Sequence, residues 1–441
     1  MSEDGLSPRL RWTGPRARLS APDCRALFDR ASSSDPMVRT RTAGIIADVR
    51  QRGDAALRAL AEELDGVRLD ELEVPMSRCA RALDTLDPAL RRAMERSVTN
   101  IRRVHQAFLP VAQETESEPG ITVGRRPDPL GRVGVYAPGG RAAYPSSVLM
   151  GVVPAHVAGV GEIIVCSPPV RETGLPSSVV LAAAALSGAH RVFSLGGAGA
   201  IAALAYGTAS VPRVDRVVGP GNAWVAEAKI QVASAVAIDS PAGPSELLVL
   251  ADGTADPQCI AREMLAQAEH DPLASVVAVV TSEELGSAVM RALRLLLVDQ
   301  PRADIVSASL AGQGAVLWAA SLEEAIGFAN DYAAEHLLLV VGSPDPVLRR
   351  LRNAGTVFVG EHASVAFGDY MTGANHVLPT GGLARSYSGL STLDFFRWTT
   401  YQRVTRDAAA RLADDVGVFA DAEGLGGHAL AARAWRVEAP V

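Results

Sequence analysis

Gln267 and His270 stand three residues apart in Leu265-Ala266-Gln267-Ala268-Glu269-His270-Asp271, so on a helix they occupy neighbouring positions with two metal-capable side chains. Ile260 and Met264 mark the apolar face of that expected helix, and at about 100° per residue Gln267 falls on it while His270 sits at its edge. A polar amide on a buried face needs a partner, which a backbone group or a metal ion would supply. Glu335-His336 is expected where a helix ending near Tyr332 gives way to the strand Leu337 to Val341. A carboxylate that can activate water beside an imidazole that can take a proton is the minimum for general acid/base chemistry near neutral pH. The segment Phe367 to His376 adds Asp369 and His376 in what reads as a polar, glycine-containing loop. Near the C-terminus Glu423 and His428 flank Gly424, Gly426 and Gly427, where glycines permit close approach to another surface.

Two glycine-rich turns complete the inventory. Leu195-Gly196-Gly197-Ala198-Gly199-Ala200 and Gly219-Pro220-Gly221-Asn222-Ala223-Trp224 each follow a strand-like run and open a helix-like one. Backbone N–H groups at a helix start attract anions, and small residues let a phosphate approach. Neither turn is a full G-x-G-x-x-G fingerprint, but two of them in successive units of one sheet point to a nucleotide site at the C-terminal edge of its strands.

The elements that must hold these residues follow from periodicity. Val38 to Arg52 and Ala89 to Arg103 read as helices of a helical layer. Strand-like runs at Val133 to Tyr136, Glu162 to Cys166, Arg191 to Leu195 and Arg216 to Val218 alternate with helices at Ser147 to His156, Val179 to Leu186 and Ala200 to Ala205. A second series follows at Glu246 to Ala251, Ser275 to Thr281, Gly314 to Trp318, His336 to Val341 and Gly355 to Val359, with the capping-box spacing of Ser321 and Glu324 opening a helix through Tyr332. Such alternation predicts an α/β class with parallel sheets, and the last fifty or so residues return to helical periodicity.

A chain of 441 residues exceeds what one core supports, so more than one domain is expected. A net charge of -7 with dispersed arginines argues against a nucleic-acid partner. There is no basic stretch leading an apolar core near the N-terminus and no apolar run long enough for a bilayer, which makes the cytoplasm the expected location and excludes a membrane partner. The four cysteines, Cys24, Cys79, Cys166 and Cys259, form no C-x-x-C pair and are expected to be reduced and mostly buried; Cys166, at a strand end, is the one placed to act with a histidine.

Seven ordered blocks carry a family resemblance: Val135-Tyr136-Ala137-Pro138-Gly139-Gly140, Gly219 to Asn222, Ala242-Gly243-Pro244-Ser245-Glu246, Gln267 to His270, Glu335-His336-Leu337, Gly368-Asp369-Tyr370 and Asn375-His376-Val377-Leu378-Pro379-Thr380. From roughly Arg39 to Arg436 the chain resembles histidinol dehydrogenase, the zinc- and NAD-dependent family of the last two oxidations in histidine synthesis. The resemblance implies two incomplete Rossmann-like doubly wound α/β domains with helical N- and C-terminal appendages. Their expected extents are 1-32 for an N-terminal extension, 33-135 with 246-390 for a zinc and catalytic domain, 136-245 for dinucleotide binding, and 391-441 for a small helical domain that reaches the partner's active site in a homodimer.

Carried over position by position, the resemblance implies one zinc per subunit on Gln267, His270, Asp369 and His428, anchoring L-histidinol. His336 would take the hydroxyl proton during each hydride transfer, and Glu335 would activate the water that adds to the aldehyde. Ser245, His376 and Glu423 match substrate contacts alongside the zinc residues and His336, while Tyr136, Gly199 and Asn222 match NAD contacts. The match departs at Gly199, where the family often has glutamine, and in Phe395 to Gln402, whose Thr-Tyr-Gln resembles relatives that oxidise a sulfopropanediol. Another polar alcohol on the same fold therefore stands as an alternative, opposed by the presence of His376 and Glu423. A zinc hydrolase or structural zinc protein without a dinucleotide is the reading from a different class, opposed by the two glycine turns and Tyr136.

Overall fold

The computed structural model describes residues 9–30, 35–139 and 143–436; Gly140 of the first block and parts of the expected terminal segments lie outside them. Two compact units are formed, Met1–Phe108 with Leu130–Phe395, and Leu109–Pro129 with Phe396–Val441. Among the described residues no helix is long and apolar enough to cross a membrane.

The larger unit contains two six-stranded sheets built on one plan. The first runs in spatial order Glu73–Val74, Arg191–Ser194, Glu162–Ser167, Arg132–Tyr136, Arg216–Val218, Ala237–Ile238, parallel except for its two-residue edge strand. The second runs Trp12–Pro15, Gly314–Trp318, Ser275–Val280, Glu246–Ala251, His336–Val340, Thr356–Val359, parallel throughout. In each, once an edge strand from earlier in the chain is set aside, the chain runs from a central strand outward twice, then returns to the other side of that strand, which creates a topological switch point. Helices cover both faces, so strands such as Glu246–Ala251 and Ser275–Val280 are buried along their whole length and read as unbroken apolar runs. The α/β class with doubly wound sheets stands.

Strand pairing divides the chain differently from the expected 33-135 and 246-390 grouping. Helix Pro36–Arg52 and the segment through Leu72 pack their Ile46, Val49 and Leu57 into the core of the first sheet with Ile201 and Leu204. The Trp12–Pro15 strand instead joins the second sheet, beside Gly314–Trp318. The smaller unit carries helices Arg406–Ala422 and Gly426–Arg433 as expected, and in addition an antiparallel sheet of Phe396–Val404, Ile121–Pro129 and Gln113–Glu118. Phe396–Val404 pairs with a hairpin from much earlier in the chain, so helical periodicity in the last fifty residues did not disclose it.

Helix Pro88–Ala107 carries a buried imidazole with a measurable consequence. His105 Nδ1 accepts from the Thr392 amide at 3.2 Å and lies 3.1 Å from the Thr392 hydroxyl, whose proton goes to the His105 carbonyl at 3.0 Å. That arrangement requires a neutral ring, and burial holds the imidazole down at about 4. A folded-state value below the unfolded one means that the unfolded chain binds the extra proton. Stability should therefore fall as pH drops from about 6.5 towards 4, by up to about 3 kcal/mol, and His105→Gln should flatten that slope. Urea melts across this window check it; an unchanged slope in the variant would assign the acid lability elsewhere.

Candidate active site

The two sheets present opposite edges to the candidate site. Tyr136, Gly196 to Gly199 and Gly219 to Asn222 leave the first sheet at the C-terminal ends of its strands, the usual place for a ligand in an open α/β sheet. Ser245, Glu246, Glu335 and His336 instead stand at the N-terminal ends of the central strands of the second. A cavity of about 530 Å³ is lined from both edges, by Tyr136, Asn222, Ser245, His270, Glu335, His336, Asp369 and His376 among others. A second cavity of about 310 Å³ shares Tyr136, Gly139 and Asn222 with it and continues past Gly196 to Gly199 to the helical layer.

Glu335 and His336 reach the cavity wall through a strained turn. Helix Leu322–Tyr332 starts on Ser321, whose hydroxyl accepts from the Glu324 amide at 3.2 Å, and ends at Ala333 in the left-handed region with φ 52°. Ala333 is the one non-glycine residue with positive φ among the described residues, a conformation that costs about 1–2 kcal/mol and is tolerated where the surroundings enforce it. Glu246 does much of that enforcing. Its amide donates to Glu335 Oε2 at 2.7 Å, its carboxylate accepts from the Glu335 amide at 3.4 Å and the Gly381 amide at 2.7 Å, and its carbonyl accepts from His336 Nδ1 at 2.9 Å. Arg30, buried over the Tyr332 ring at 3.4 Å, lies 3.5 Å from Glu246 Oε1. Burial still pushes the Glu246 carboxyl up to about 7 against the pull of Arg30.

Because Nδ1 of His336 donates to a carbonyl, Nε2 is the nitrogen left for chemistry. It has no hydrogen-bond partner among the described residues and lies 3.9 Å from Asp369 Oδ1. Burial alone would lower this imidazole, but the charges of Glu335, with Oε2 at 3.3 Å, and of Asp369 outweigh it and hold His336 at about 9. His376 donates from Nδ1 to the Asp369 carbonyl at 3.0 Å and is pushed down by burial.

Gln267 is buried in the last turn of helix Pro257–Ala268, on the face expected, and its Nε2 has no partner among the described residues. His270 does not lie on that helix. The helix stops at Ala268, with Glu269 as its cap, and His270 follows in a turn whose amide bonds back to the Gln267 carbonyl at 3.3 Å. Asp369 lies in the short helix Val365–Tyr370, where a loop was expected, and Asn375 is buried, bonded to the Met150 carbonyl at 2.8 Å. Glu423 and His428 belong to the smaller unit and are exposed there. Among the described residues no three His, Cys, Asp or Glu side chains are grouped as a metal site. Cys166 is fully buried in the first sheet and its thiol is pushed up by burial, which removes it as a nucleophile.

On the nucleotide side, the Tyr136 hydroxyl accepts from the Gly197 amide at 3.1 Å and is held up at about 12 by burial, so its own proton remains available to a ligand. Asn222 caps helix Ala223–Val232 through Oδ1, bonded by the amides of Trp224 and Val225 at 3.1 and 3.2 Å, which leaves its amide nitrogen for the cavity. Gly199 lines the smaller cavity, and a Cβ there would stand 2.9 Å from Leu60.

Lys229 underlies the Gly219 turn. Its ammonium is buried, donates to the carbonyls of Gly219 at 3.1 Å and Ser240 at 3.0 Å, and pairs with Asp239, whose Oδ2 accepts from the Gly219 amide at 2.7 Å. Gly219 has φ 116°, and a Cβ on it would collide with the Tyr136 carbonyl oxygen, so only glycine fits this turn. Lys229 is the sole lysine of the sequence; the other 41 of its Lys and Arg residues are arginine.

The family model for histidinol dehydrogenase matches residues 28–436. The chain belongs to the histidinol dehydrogenase family. It is 50% identical over 411 residues to the histidinol dehydrogenase of Halobacterium salinarum, covering 93% of this chain and 96% of the relative, and 44% identical over 416 residues to that of Methanosarcina barkeri, covering 94% and 95%. The crystal structure of histidinol dehydrogenase from Elizabethkingia anophelis superposes with a TM-score of 0.90 at 32% identity, over 96% of this chain and 98% of that one. As a histidinol dehydrogenase family member the chain is an oxidoreductase, so the zinc-hydrolase and structural readings fall away.

Proposed function

We propose that the chain oxidises L-histidinol through the aldehyde to L-histidine with two NAD and one zinc. The observation that carries this reading is the unpartnered Nε2 of His336 on a cavity wall that continues into a glycine-turn cleft. His336 stays bonded to the Glu246 carbonyl through Nδ1 and takes the substrate hydroxyl proton on Nε2 as hydride leaves the carbinol carbon. Glu335, held by the Glu246 amide, takes a proton from the water that adds to the aldehyde carbon. His336 passes its proton to the aldehyde oxygen as the water adds, so the hydrated aldehyde gives up the second hydride of the sequence with His336 free to receive the hydroxyl proton again. NAD, when bound, supplies the hydride acceptor; Tyr136 and Asn222 would hold it, beside Gly199.

The donor set fits zinc. A buried side-chain amide, which would offer its oxygen, a half-buried imidazole and a carboxylate are the ligand types of a borderline cation. Gln267, His270 and Asp369 would hold it, with His428 from the partner subunit of a homodimer, and it would supply a Lewis-acid anchor for the substrate nitrogens. With Asp369 engaged as a ligand its charge no longer raises His336, which brings the imidazole towards the range of a general base. Ser245, His376 and the partner subunit's Glu423 would complete the substrate contacts. Exposure of Phe419, Leu425, Leu430 and Trp435 around Glu423 and His428 supports a covered face in a dimer.

The deciding experiment counts NADH formed per histidinol consumed, with and without a chelator. Two per substrate, lost on chelation, supports the reading; turnover of a sulfopropanediol and none of histidinol overturns it. In His270→Asn, zinc content and histidinol affinity should fall together, affinity by on the order of 100-fold. Full zinc retention measured by metal analysis would remove His270 from the ligand set.

A further inference from the structure

The smaller cavity contains a carboxylate that the proposed chemistry does not use. Its walls are mainly apolar, from Ile45, Leu57, Leu60, Pro168 and Trp224, and among the described residues the charged ones lining it are Arg41 and Asp65. Arg41 is already engaged: its Nη2 lies 3.0 Å from Glu63 Oε1, and its guanidinium sits 5.6 Å from the Trp224 ring centroid. The Asp65 carboxylate makes no hydrogen bond or ion pair with any described residue. It closes the π-helical turn Ala61–Asp65, a form that widens a helix by one residue and recurs at functional sites.

Orientation of a dinucleotide along the cleft follows from the chemistry. The nicotinamide must reach the carbinol carbon beside His336 in the larger cavity. The adenosine half therefore falls in the smaller one, past Tyr136 and Asn222, which line both. An unpaired carboxylate accepts hydrogen bonds and offers none at neutral pH, so its complement is a pair of donors, and a ribose diol is such a pair. A phosphate on the same ribose would place like charges together in a partly desolvated cavity.

We propose that Asp65 accepts the ribose hydroxyls of the adenosine half and thereby selects NAD over its 2′-phosphorylated form. This rests on the dinucleotide reading of the cleft. In a nucleotide-binding sheet of the common kind an acid on the ribose follows the second strand; here it comes from the helical layer instead. Burial shifts the Asp65 carboxyl up to about 6, with no pull from Arg41, which pairs with Glu63.

The test compares native protein, Asp65→Asn and Asp65→Ser, using NADH and NADPH fluorescence titration for Kd, and kcat/KM for NAD, 2′-deoxy-NAD and NADP with histidinol. Native protein should prefer NAD over NADP and lose about tenfold on 2′-deoxy-NAD, since tenfold is the loss of one hydrogen bond of about 1.4 kcal/mol. Asp65→Ser should lose about the same on NAD, show no further loss on 2′-deoxy-NAD, and bind NADPH more tightly than native protein. Asp65→Asn should narrow the NAD to NADP ratio. Tight NADH binding with an unchanged ratio and an unchanged 2′-deoxy penalty in both variants overturns the role of Asp65 alone, as does native preference for NADP. Failure of native protein to bind either reduced dinucleotide overturns the cleft reading and this proposal together.

Discussion

Glu335→Gln should accumulate histidinaldehyde. The amide oxygen of glutamine can still accept from the Glu246 amide, which stands 2.7 Å from Glu335 Oε2, so the side chain keeps its place while losing its basicity and the charge that raises His336. Alcohol oxidation needs His336 alone and should persist. The aldehyde-to-acid half needs an activated water and should slow by about 10²–10⁴-fold, the usual contribution of a positioned base. Single-turnover runs started from the alcohol and from the aldehyde separate the two halves. Equal losses in both would show that Glu335 acts on His336, 3.3 Å away, and not on water. Zinc content should be unaffected, because Glu335 is outside the proposed ligand set.

The second large effect is expected at Lys229. Replacement by methionine leaves Asp239 buried without its cation and strips two carbonyls of their donor, so a loss of about 3–5 kcal/mol is expected. Lys229→Arg should not rescue it, since a planar fork cannot meet three partners gathered around one compact ammonium. Adding Asp239→Asn to Lys229→Met should recover part of the loss by removing the stranded charge. Urea melts with and without NAD measure all three; a Lys229→Met protein that melts like the native one would show that the turn holds without the clamp.

How much of this was legible in the sequence depends on where the information resides. Glu246–Ala251 and His336–Val340 were readable because both faces are covered and the runs are unbroken. Trp12–Pro15 was not: four residues with a glycine and a proline carry little strand signal, although an edge position tolerates both. Gln113–Glu118 is exposed at every residue and shows no apolar period at all. In the site, the residue types of Glu335, His336, Asp369 and His270 were visible, whereas the end of the Gln267 helix before His270 was read past, although Pro272 two residues further on marks a helix end nearby. The role of Glu246 was hidden for a different reason: two of its bonds to the pair come from its backbone, which every residue type possesses. Lys229 did have a signal, one lysine against 41 arginines, and counting would have found it.

That lone lysine makes the protein its own reporter. Reagents that acylate lysine find no side-chain amine on the folded surface, because the only one is bonded on three sides beneath the Gly219 turn. Labelling at Lys229 thus records how often that turn opens, and a ligand that clamps the cleft should slow the labelling without touching the residue.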